Sequence, residues 1–433
     1  MSQKLLFGPV LAVLVIASLA DVGSAKAASL PPTQVPQLVT MTNTGVVASR
    51  NLLAAGDSAT VSNVNSLVAS ANTALNDPIT TVVTKVPILQ QPGMLPSLDL
   101  PANFDPHEYL SLNTYLANGQ GNPNASEIPD INYLQGSSTP GLITDTATLS
   151  VAYYFTGNQA YATQAAAWLR AWFVTPATRM NPNLTYAQLK VGDSSGQGVI
   201  DAHSLPQVLD AMSLISGSNA LSADDVSSIE SWFSQYLTWL TTSTQGQTEG
   251  NTSVYFNNRA SWYRAQVVAI AAYLGQTNLA ETYANQGTTL IDHQIAADGT
   301  QSEELIRGQQ GADPWNYSYL NLEGLTELGI AAQLVNVDLF SYTNPAGANL
   351  ATALRLLVPY AEGTVAWPNG LTFKDPKTGA IDPVIQNGTP HLSLVNLPVA
   401  QLGRVYTTDT TIQAARPLLK PVPLARLEFP AGS

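Results

Sequence analysis

Apolar residues recur at helical spacing along most of the chain from Pro96 onward, and strand-like alternation is weak there. Start signals support several of these segments; Ser222, for example, is followed by two acids that suit a first helical turn. The pattern predicts helices at 144–155, 159–173, 205–214, 223–240, 262–274, 279–296, 322–335 and 350–360.

Two pairs of predicted helices are joined by short turns that contain glycine and asparagine, at 156–158 and at 275–278. Helical hairpins of this kind stack around an axis or curve into a toroid. We therefore predict an all-α fold, an (α/α) toroid or incomplete barrel of helical hairpins. The last ~70 residues, rich in Pro and Gly, are predicted to wrap this body as loops or short strands.

The N-terminus has the pattern of a secretory signal peptide. Lys4 precedes the apolar stretch 5–20, and small residues follow at 24–28. Residues 1–27 are the predicted signal peptide, which makes the protein secreted or periplasmic. No later segment reaches the ~18 apolar residues of a membrane span, so no membrane contact is predicted for the mature form.

Composition divides the rest of the chain in two. Residues 28–94 are poor in aromatics and charges and are predicted to be a low-complexity leader or linker with space for one short helix. Residues 95–433 form the predicted main domain. The leader offers no candidate for catalysis.

Charge and residue types exclude several classes of function. The net charge is -13, from 17 Lys and Arg against 30 Asp and Glu, which argues against nucleic acid as a partner. The chain has no cysteine, so disulfides and thiolate metal sites are excluded. No two of its four histidines have metal-ligand spacing, and we predict no metal and no cofactor.

Residues 255–263 form a polar, aromatic and cationic cluster directly before the apolar run 265–274. Adjacent Asn residues disfavour helix, whereas the following run favours a packed helix. Amides, a guanidinium and phenols at a helix start can bind an anionic or sugar-like ligand. The alternative is an N-capped helix with solvated neighbours.

Two further clusters carry candidate chemistry. Arg307 and Tyr317 again precede an apolar helix. The structural interpretation of the acids there is a turn and a surface ion pair between Glu303 or Glu304 and Arg307. His203 lies just before a helix beside Asp201, which could fix its tautomer. His293, inside an amphipathic pattern, is interpreted as structural.

Five stretches, taken together and in order, resemble the alginate lyase superfamily of polysaccharide lyases, whose members have (α/α) toroid domains. They cover about residues 95–335. The five stretches are 105–112, 152–157, 176–184, 257–263 and 298–322.

The resemblance implies β-elimination beside a uronate carboxylate, which an Asn, a His and an Arg neutralise while a Tyr or His removes the C5 proton. Carried over, these roles fall on Asn258, Arg307 and Tyr317, whereas the family's His position holds Arg259. Arginine cannot serve as a base, so proton abstraction is assigned to Tyr317, its phenolate favoured by the two nearby arginines. Where many relatives have an Arg, this chain has His203, and we predict that His203 and Arg259 exchange roles across one cleft.

Substrate contacts are predicted at Asn257 and at aromatic residues that could stack on sugar rings. The segment 308–314, longer than is usual in the family, is predicted to reshape a subsite. For each aromatic residue, burial in the core is the alternative. The aromatic candidates are Tyr109, Trp262, Tyr263, Trp315 and Tyr319.

The sequence thus predicts a secreted polysaccharide lyase for an acidic polysaccharide. One alternative is a glycoside hydrolase on an (α/α) scaffold, with Asp201 and either Glu303 or Glu304 as its two carboxylates. Another is an acidic-glycan-binding protein without catalytic activity.

Overall fold

The fold is built mainly from α-helices in a computed structural model that describes residues 35–136, 139–192, 198–367, 371–385, 396–416 and 427. Within these residues the helices are α1 Asn43–Ala54, α2 Ser58–Ala74, α3 Val86–Leu89, α4 Met94–Ser97, α5 Asp130–Gln135, α6 Leu142–Thr156, α7 Gln159–Phe173, α8 Gln207–Ile215, α9 Ala223–Thr242, α10 Thr244–Gly250, α11 Asn258–Tyr273, α12 Thr277–Gln294, α13 Ser302–Leu305, α14 Pro314–Gln333, α15 Leu350–Ala361, α16 Asn396–Val405 and α17 Thr410–Ala415. The strands are β1 Leu110–Leu112, β2 Tyr186–Leu189, β3 Thr372–Lys374 and β4 Ile381–Pro383.

Both predicted helical hairpins are present, α6 with α7 and α11 with α12. Gly157 ends α6 with a φ of +70°, a left-handed conformation that favours glycine. The Asn158 side chain then accepts a hydrogen bond from the Ala160 N–H and caps α7. Gly275, with a φ of +71°, makes the second turn. The all-α fold of helical hairpins is confirmed.

Helix α11 lies at the centre of the body, packed against α9, α12 and α14. All but one of its first fifteen residues are buried, so neighbours cover it on every side. Gly324 of α14 lets the two helices approach closely, because a Cβ there would lie 3.1 Å from the Trp262 ring. This packing fixes the first turns of α11 and α14 relative to each other.

The predicted positions of those first turns were wrong. Helix α11 begins at Asn258, after the N-cap Asn257, and α14 begins at Pro314, after the N-cap Asp313. The sequence predicted later starts for both helices because their apolar residues become continuous only further along, where every face of the helix is buried. Arg259 and Tyr317 therefore lie on helical first turns and not on loops.

The segment predicted to be a loose leader is part of the folded body. Helix α2 packs against α6 and contributes Val64 and Leu67 to the main core. The buried carboxylate of Asp210, on α8, accepts hydrogen bonds from the backbone N–H groups of Val39 and Thr40 at 2.5 and 2.9 Å. Because apolar burial and a buried carboxylate both secure this segment, the interpretation as a linker was wrong.

A buried ion pair secures the end of the same segment. The Lys85 ammonium lies 2.8 Å from Asp130 and donates to the carbonyls of Val82, Pro106 and Glu108. Both charged side chains are fully buried, and burial lowers the pKa of Lys85 while Asp130 opposes that change. The pair connects the leader to the start of β1, which borders the cleft described below.

Strands β1 and β2 pair in parallel, with Leu110 opposite Tyr186 and Leu112 opposite Leu189. This short sheet brings Ser111 beside the segment that carries Asp201. The sheet was not predicted, because strands of three and four residues are too short to show an alternating pattern in the sequence.

The C-terminal region contains the antiparallel pair β3 and β4, as predicted, and also helices α16 and α17, which were not predicted. None of the helices in the described ranges is long and apolar enough to cross a membrane. The predicted signal peptide lies outside the described residues.

Candidate active site

A cleft of about 960 Å³ lies where the β1 region faces the first turn of α14. One wall comes from residues 111–132 and the other from residues 307–320, and Gln188, Asp201 and Arg259 complete the lining. Three predicted catalytic residues, Arg259, Arg307 and Tyr317, line this one cleft.

Arg259 enters the cleft from the first turn of α11 with its guanidinium held by a carboxylate. Its Nε lies 2.8 Å from both carboxylate oxygens of Glu249, and its Nη2 lies 2.5 Å from Oε2. The ring of Tyr255 lies 4.1 Å from the guanidinium carbon. Glu249 is 2% exposed, so this is a largely buried pair with bidentate geometry.

Arg307 and Tyr317 form a stack on the opposite wall. The guanidinium carbon of Arg307 lies 3.6 Å from the centre of the Tyr317 ring, a cation–π contact. The Nε of Arg307 is buried without a hydrogen-bond partner, and no carboxylate of the described residues forms an ion pair with its guanidinium. This arginine is therefore available to an anionic ligand.

The segment after Arg307 supplies part of the cleft wall through Gln310, Gly311, Ala312 and Asp313. A Cβ at Gly308 would lie 1.8 Å from the Ile385 carbonyl oxygen, so the backbone after β4 supports this segment directly. Residues 308–314 are therefore in a position to shape a subsite, and that role stays a prediction.

Asn258 is buried and hydrogen-bonded to Glu304. Its backbone N–H donates to Glu304 Oε1 at 2.5 Å, and its side-chain Nδ2 donates to Oε1 and Oε2 at 2.9 and 3.0 Å. The predicted surface ion pair between Arg307 and Glu303 or Glu304 is not formed among the described residues, and Glu304 is fully buried against Asn258. Asn258 is not among the residues that line the cleft, so its predicted role as a carboxylate clamp stays a prediction.

Glu304 makes stability depend on pH. Burial raises the pKa of its carboxyl to about 7, and Arg307 opposes that rise. Since the folded chain binds this proton more tightly than the unfolded chain, the stabilisation is complete below pH 4.5 and is lost as the pH rises to about 7. We expect the part due to Glu304 to be roughly 3 kcal/mol. It is measured as the difference in the pH dependence of urea unfolding between the unmodified protein and Glu304→Gln, because the pKa values of Asp145 and Glu323 are also raised to about 7.

Glu304→Gln is expected to remove this pH-dependent step, because an amide does not titrate. Glu281→Gln is the matched control, since Glu281 is an exposed acid on α12, away from Glu304. An equal pH dependence in the Glu304→Gln variant and the unmodified protein would contradict the prediction.

His203 and Asp201 do not interact as predicted. The Nδ1 of His203 lies 2.8 Å from the Ile200 carbonyl oxygen, and its ring packs against Trp262 with centroids 4.5 Å apart. The Asp201 carboxylate accepts hydrogen bonds from Ser111, from Gln188 at 2.6 Å and from Tyr109 at 3.2 Å. The backbone carbonyl, not Asp201, orients the imidazole.

Burial also lowers the pKa of His203. Arg259 lines the cleft and His203 does not, so the structure gives no support to an exchange of roles across one cleft. The position of the ring against Trp262, on the same helix as Arg259, is that of a packed residue.

The predicted sugar platforms were wrong. All five aromatic candidates are buried. The indole of Trp262, for example, donates to the Leu320 carbonyl inside the protein. Asn257 serves as the N-cap of α11 and is not among the residues that line the cleft. The buried candidates are Tyr109 at 0%, Trp262 at 1%, Tyr263 at 2%, Trp315 at 0% and Tyr319 at 7% exposure.

The aromatic side chain that does reach the cleft, besides Tyr317, is Tyr115. It is 58% exposed and sits on a tight hairpin closed by a bridge between Tyr115 and Gly121. The Asn113 side chain accepts from the Tyr115 N–H at 2.9 Å and stiffens the turn. The only sequence signal was an Asn-Thr-Tyr turn, which does not distinguish a functional loop from an ordinary one.

The fold is thus built mainly from helical hairpins, and two arginines and two tyrosines line one cleft. A family model described as alginate lyase matches residues 98–367. The chain belongs to the alginate lyase family, and the resemblance seen in the sequence is confirmed. A search of curated proteins returned no significant match.

Solved structures show the same fold. An alginate lyase from Bacteroides ovatus is 22% identical, with a TM-score of 0.73 over 91% of this chain and 99% of that one. Alginate lyase A1-III from Sphingomonas species A1 is 15% identical, with a TM-score of 0.50 over 83% and 98%. A variant of alginate lyase A1-III complexed with a tetrasaccharide is 16% identical, with a TM-score of 0.52 over 83% and 97%.

The hydrolase alternative does not fit this site. Of its proposed carboxylates, only Asp201 lines the cleft, and that side chain already accepts three hydrogen bonds from the protein. Glu304 holds Asn258, and Glu303 lies 3.9 Å from His293. Family membership and this placement both identify the protein as a lyase.

Proposed function

We propose that this lyase is exported and cleaves a uronic-acid-containing polysaccharide by β-elimination. The observation that carries the proposal is the stack of Arg307 on Tyr317 in the cleft. It places a cation for a carboxylate directly beside a phenol that can move a proton. The alginate lyases among the similar structures, one of them complexed with a tetrasaccharide, support an acidic glycan as substrate.

In the proposed mechanism Arg307 binds the uronate carboxylate and stabilises the negative charge that develops on it. The Tyr317 phenolate removes the C5 proton, and the electron pair forms the C4–C5 double bond as the C4–oxygen bond breaks. The Tyr317 hydroxyl then protonates the departing glycosidic oxygen, which restores the phenolate. No water is consumed.

A panel of polymers tests the proposal. Glucuronan, polymannuronate, polyguluronate and mixed bacterial exopolysaccharides are each incubated with the protein while ultraviolet absorbance of unsaturated uronate is followed. Rising absorbance with at least one polymer is expected. New reducing ends without absorbance would indicate hydrolysis, and binding without either signal would indicate a non-catalytic glycan-binding protein.

Export rests on the N-terminal pattern of Lys4 and the apolar stretch 5–20. The expected mature protein begins after Ala27, and N-terminal sequencing of protein recovered outside the cytoplasm measures this directly. Intact residues 1–27 on the recovered protein would contradict cleavage there.

Tyr115 is the predicted sugar-stacking residue of this site. Tyr115→Ala is expected to raise KM about ten-fold with kcat changed less than two-fold, because a ring contact worth about 1.4 kcal/mol is lost without touching the reacting atoms. Tyr115→Phe keeps the ring and is expected to restore most of the affinity. A KM that is unchanged in Tyr115→Ala would remove Tyr115 from the substrate site.

A further inference from the structure

The two arginines of the cleft differ in their surroundings. Arg259 is held by the buried carboxylate of Glu249, whereas Arg307 has no ion-pair partner among the described residues. Asp201, a second acid close enough to influence Arg259, also lines the cleft. The positive charge of Arg259 is thus compensated by a carboxylate in direct contact, whereas Arg307 has no such contact and only a longer-range interaction with the buried Glu304 carboxyl.

This difference matters for a polyanion. A uronate polymer carries one carboxylate per acidic sugar, so two equal cations in one cleft would bind it in two registers. Only a carboxylate on Arg307 brings its neighbouring C5 proton to Tyr317, because Arg307 stacks on that ring. A carboxylate held mainly by Arg259 would occupy the cleft without reacting.

We propose that Glu249 is a positioning residue that neutralises Arg259, so that the substrate carboxylate is directed to Arg307 alone. This inference rests on the proposed function. Glu249 comes from α10, and its bidentate contact fixes the guanidinium against the Tyr255 ring. Arg259 then acts in the cleft as an oriented hydrogen-bond donor and not as a second binding site for carboxylate.

Glu249→Gln is the direct test, because it removes the charge and keeps the size and one acceptor. The freed cation should capture substrate in the unreactive register, so kcat and KM should both fall about five-fold while kcat/KM changes less than about two-fold. High salt should shrink both changes, since screening weakens the added attraction. A purely structural role would lower the melting temperature without this parallel fall.

Glu281→Gln is the matched control, because Glu281 is an exposed acid on α12 and its loss changes the net charge equally. It is expected to leave kcat and KM as they are. A rise in KM in Glu249→Gln, or a fall in kcat/KM above ten-fold, would overturn the inference.

A double variant tests the same idea without leaving an unpaired charge. Glu249→Gln combined with Arg259→Gln removes a pair that is already neutral, so KM should rise no more than about three-fold, the effect of one lost hydrogen-bond donor. A rise above about thirty-fold would show that Arg259 itself binds the carboxylate and would overturn the inference even if Glu249→Gln alone did not fold.

The outcomes separate this inference from the function on which it rests. If the unmodified protein forms unsaturated product but the variants do not behave as described, only the role of Glu249 is wrong. If the unmodified protein forms no unsaturated product with any polymer of the panel, the proposed function is wrong, and the inference is overturned with it.

Discussion

Tyr317→Phe is expected to lower kcat about 10³-fold, within the range for loss of a positioned acid or base, while KM changes less than about three-fold. The substitution deletes one oxygen and keeps the ring on which Arg307 stacks at 3.6 Å. The cation for the substrate carboxylate therefore stays in place. Steady-state rates of unsaturated-product formation on the preferred polymer measure the effect.

Tyr161→Phe is the matched control for that variant. Tyr161 lies on α7 and its hydroxyl donates to Asn72 at 2.8 Å, so the change costs one hydrogen bond outside the cleft. Its kcat is expected to equal that of the unmodified protein. If Tyr317→Phe kept more than about a tenth of the activity, the proton would have to be moved by another group in the cleft, with the exposed Tyr115 as the first candidate.

The helices were predictable because burial on one face repeats at a helical period. All eight predicted helices are present, and α7 begins and ends where predicted. The starts of α11 and α14 were missed for a physical reason. Their first turns carry polar groups into the cleft or onto buried acids, so the apolar pattern fades in the part of each helix that bears the site.

Arg259, Arg307 and Tyr317 could be assigned to one site from the family pattern, but their partners could not. Glu249 and Glu304 contact α11 across 10 and 46 residues of sequence, and no local spacing marks such pairs. Glu249 neutralises the guanidinium of Arg259, and Glu304 binds Asn258.

Aromatic residues were the weakest predictions. Tryptophan is a residue type that could stack on a sugar ring, but Trp262 and Trp315 are both buried in the core. The sequence alone does not distinguish a tryptophan that stacks on a sugar from one that packs in the core. Tyr115 was missed because its exposure depends on a hairpin that presents it from the opposite wall. An exposed ring in a cleft is informative only once the structure shows that nothing covers it.

The arginine at position 259 is stabilised by its ion pair with Glu249. An imidazole at this position could act as a base, whereas a guanidinium cannot. A buried arginine without a carboxylate would be costly, and Glu249 offsets that cost through three contacts of 2.5 to 2.8 Å. The proposed function accordingly assigns proton transfer and carboxylate binding to the wall that carries Arg307 and Tyr317.

Arg307→Gln is expected to lower kcat/KM by about 10³-fold or more, because the site loses the charge that stabilises the developing carboxylate anion. Arg307→Lys keeps the charge but not the planar fork, so it should recover only part of the activity. Both variants are measured at several salt concentrations. The salt dependence of KM should be weaker in Arg307→Gln, since its cleft retains only the neutralised Arg259.

Arg179→Gln is the matched control for these variants, because Arg179 is an exposed arginine that lines a different pocket, beside Asn181 and Trp232. Its kcat/KM is expected to stay within about two-fold of the unmodified protein, as for a surface charge outside the cleft. Equal losses in Arg307→Gln and Arg179→Gln would mean that the polymer responds to overall charge and not to one arginine. A selective loss in Arg307→Gln, with the folded structure intact, would place the substrate carboxylate on Arg307 beside Tyr317.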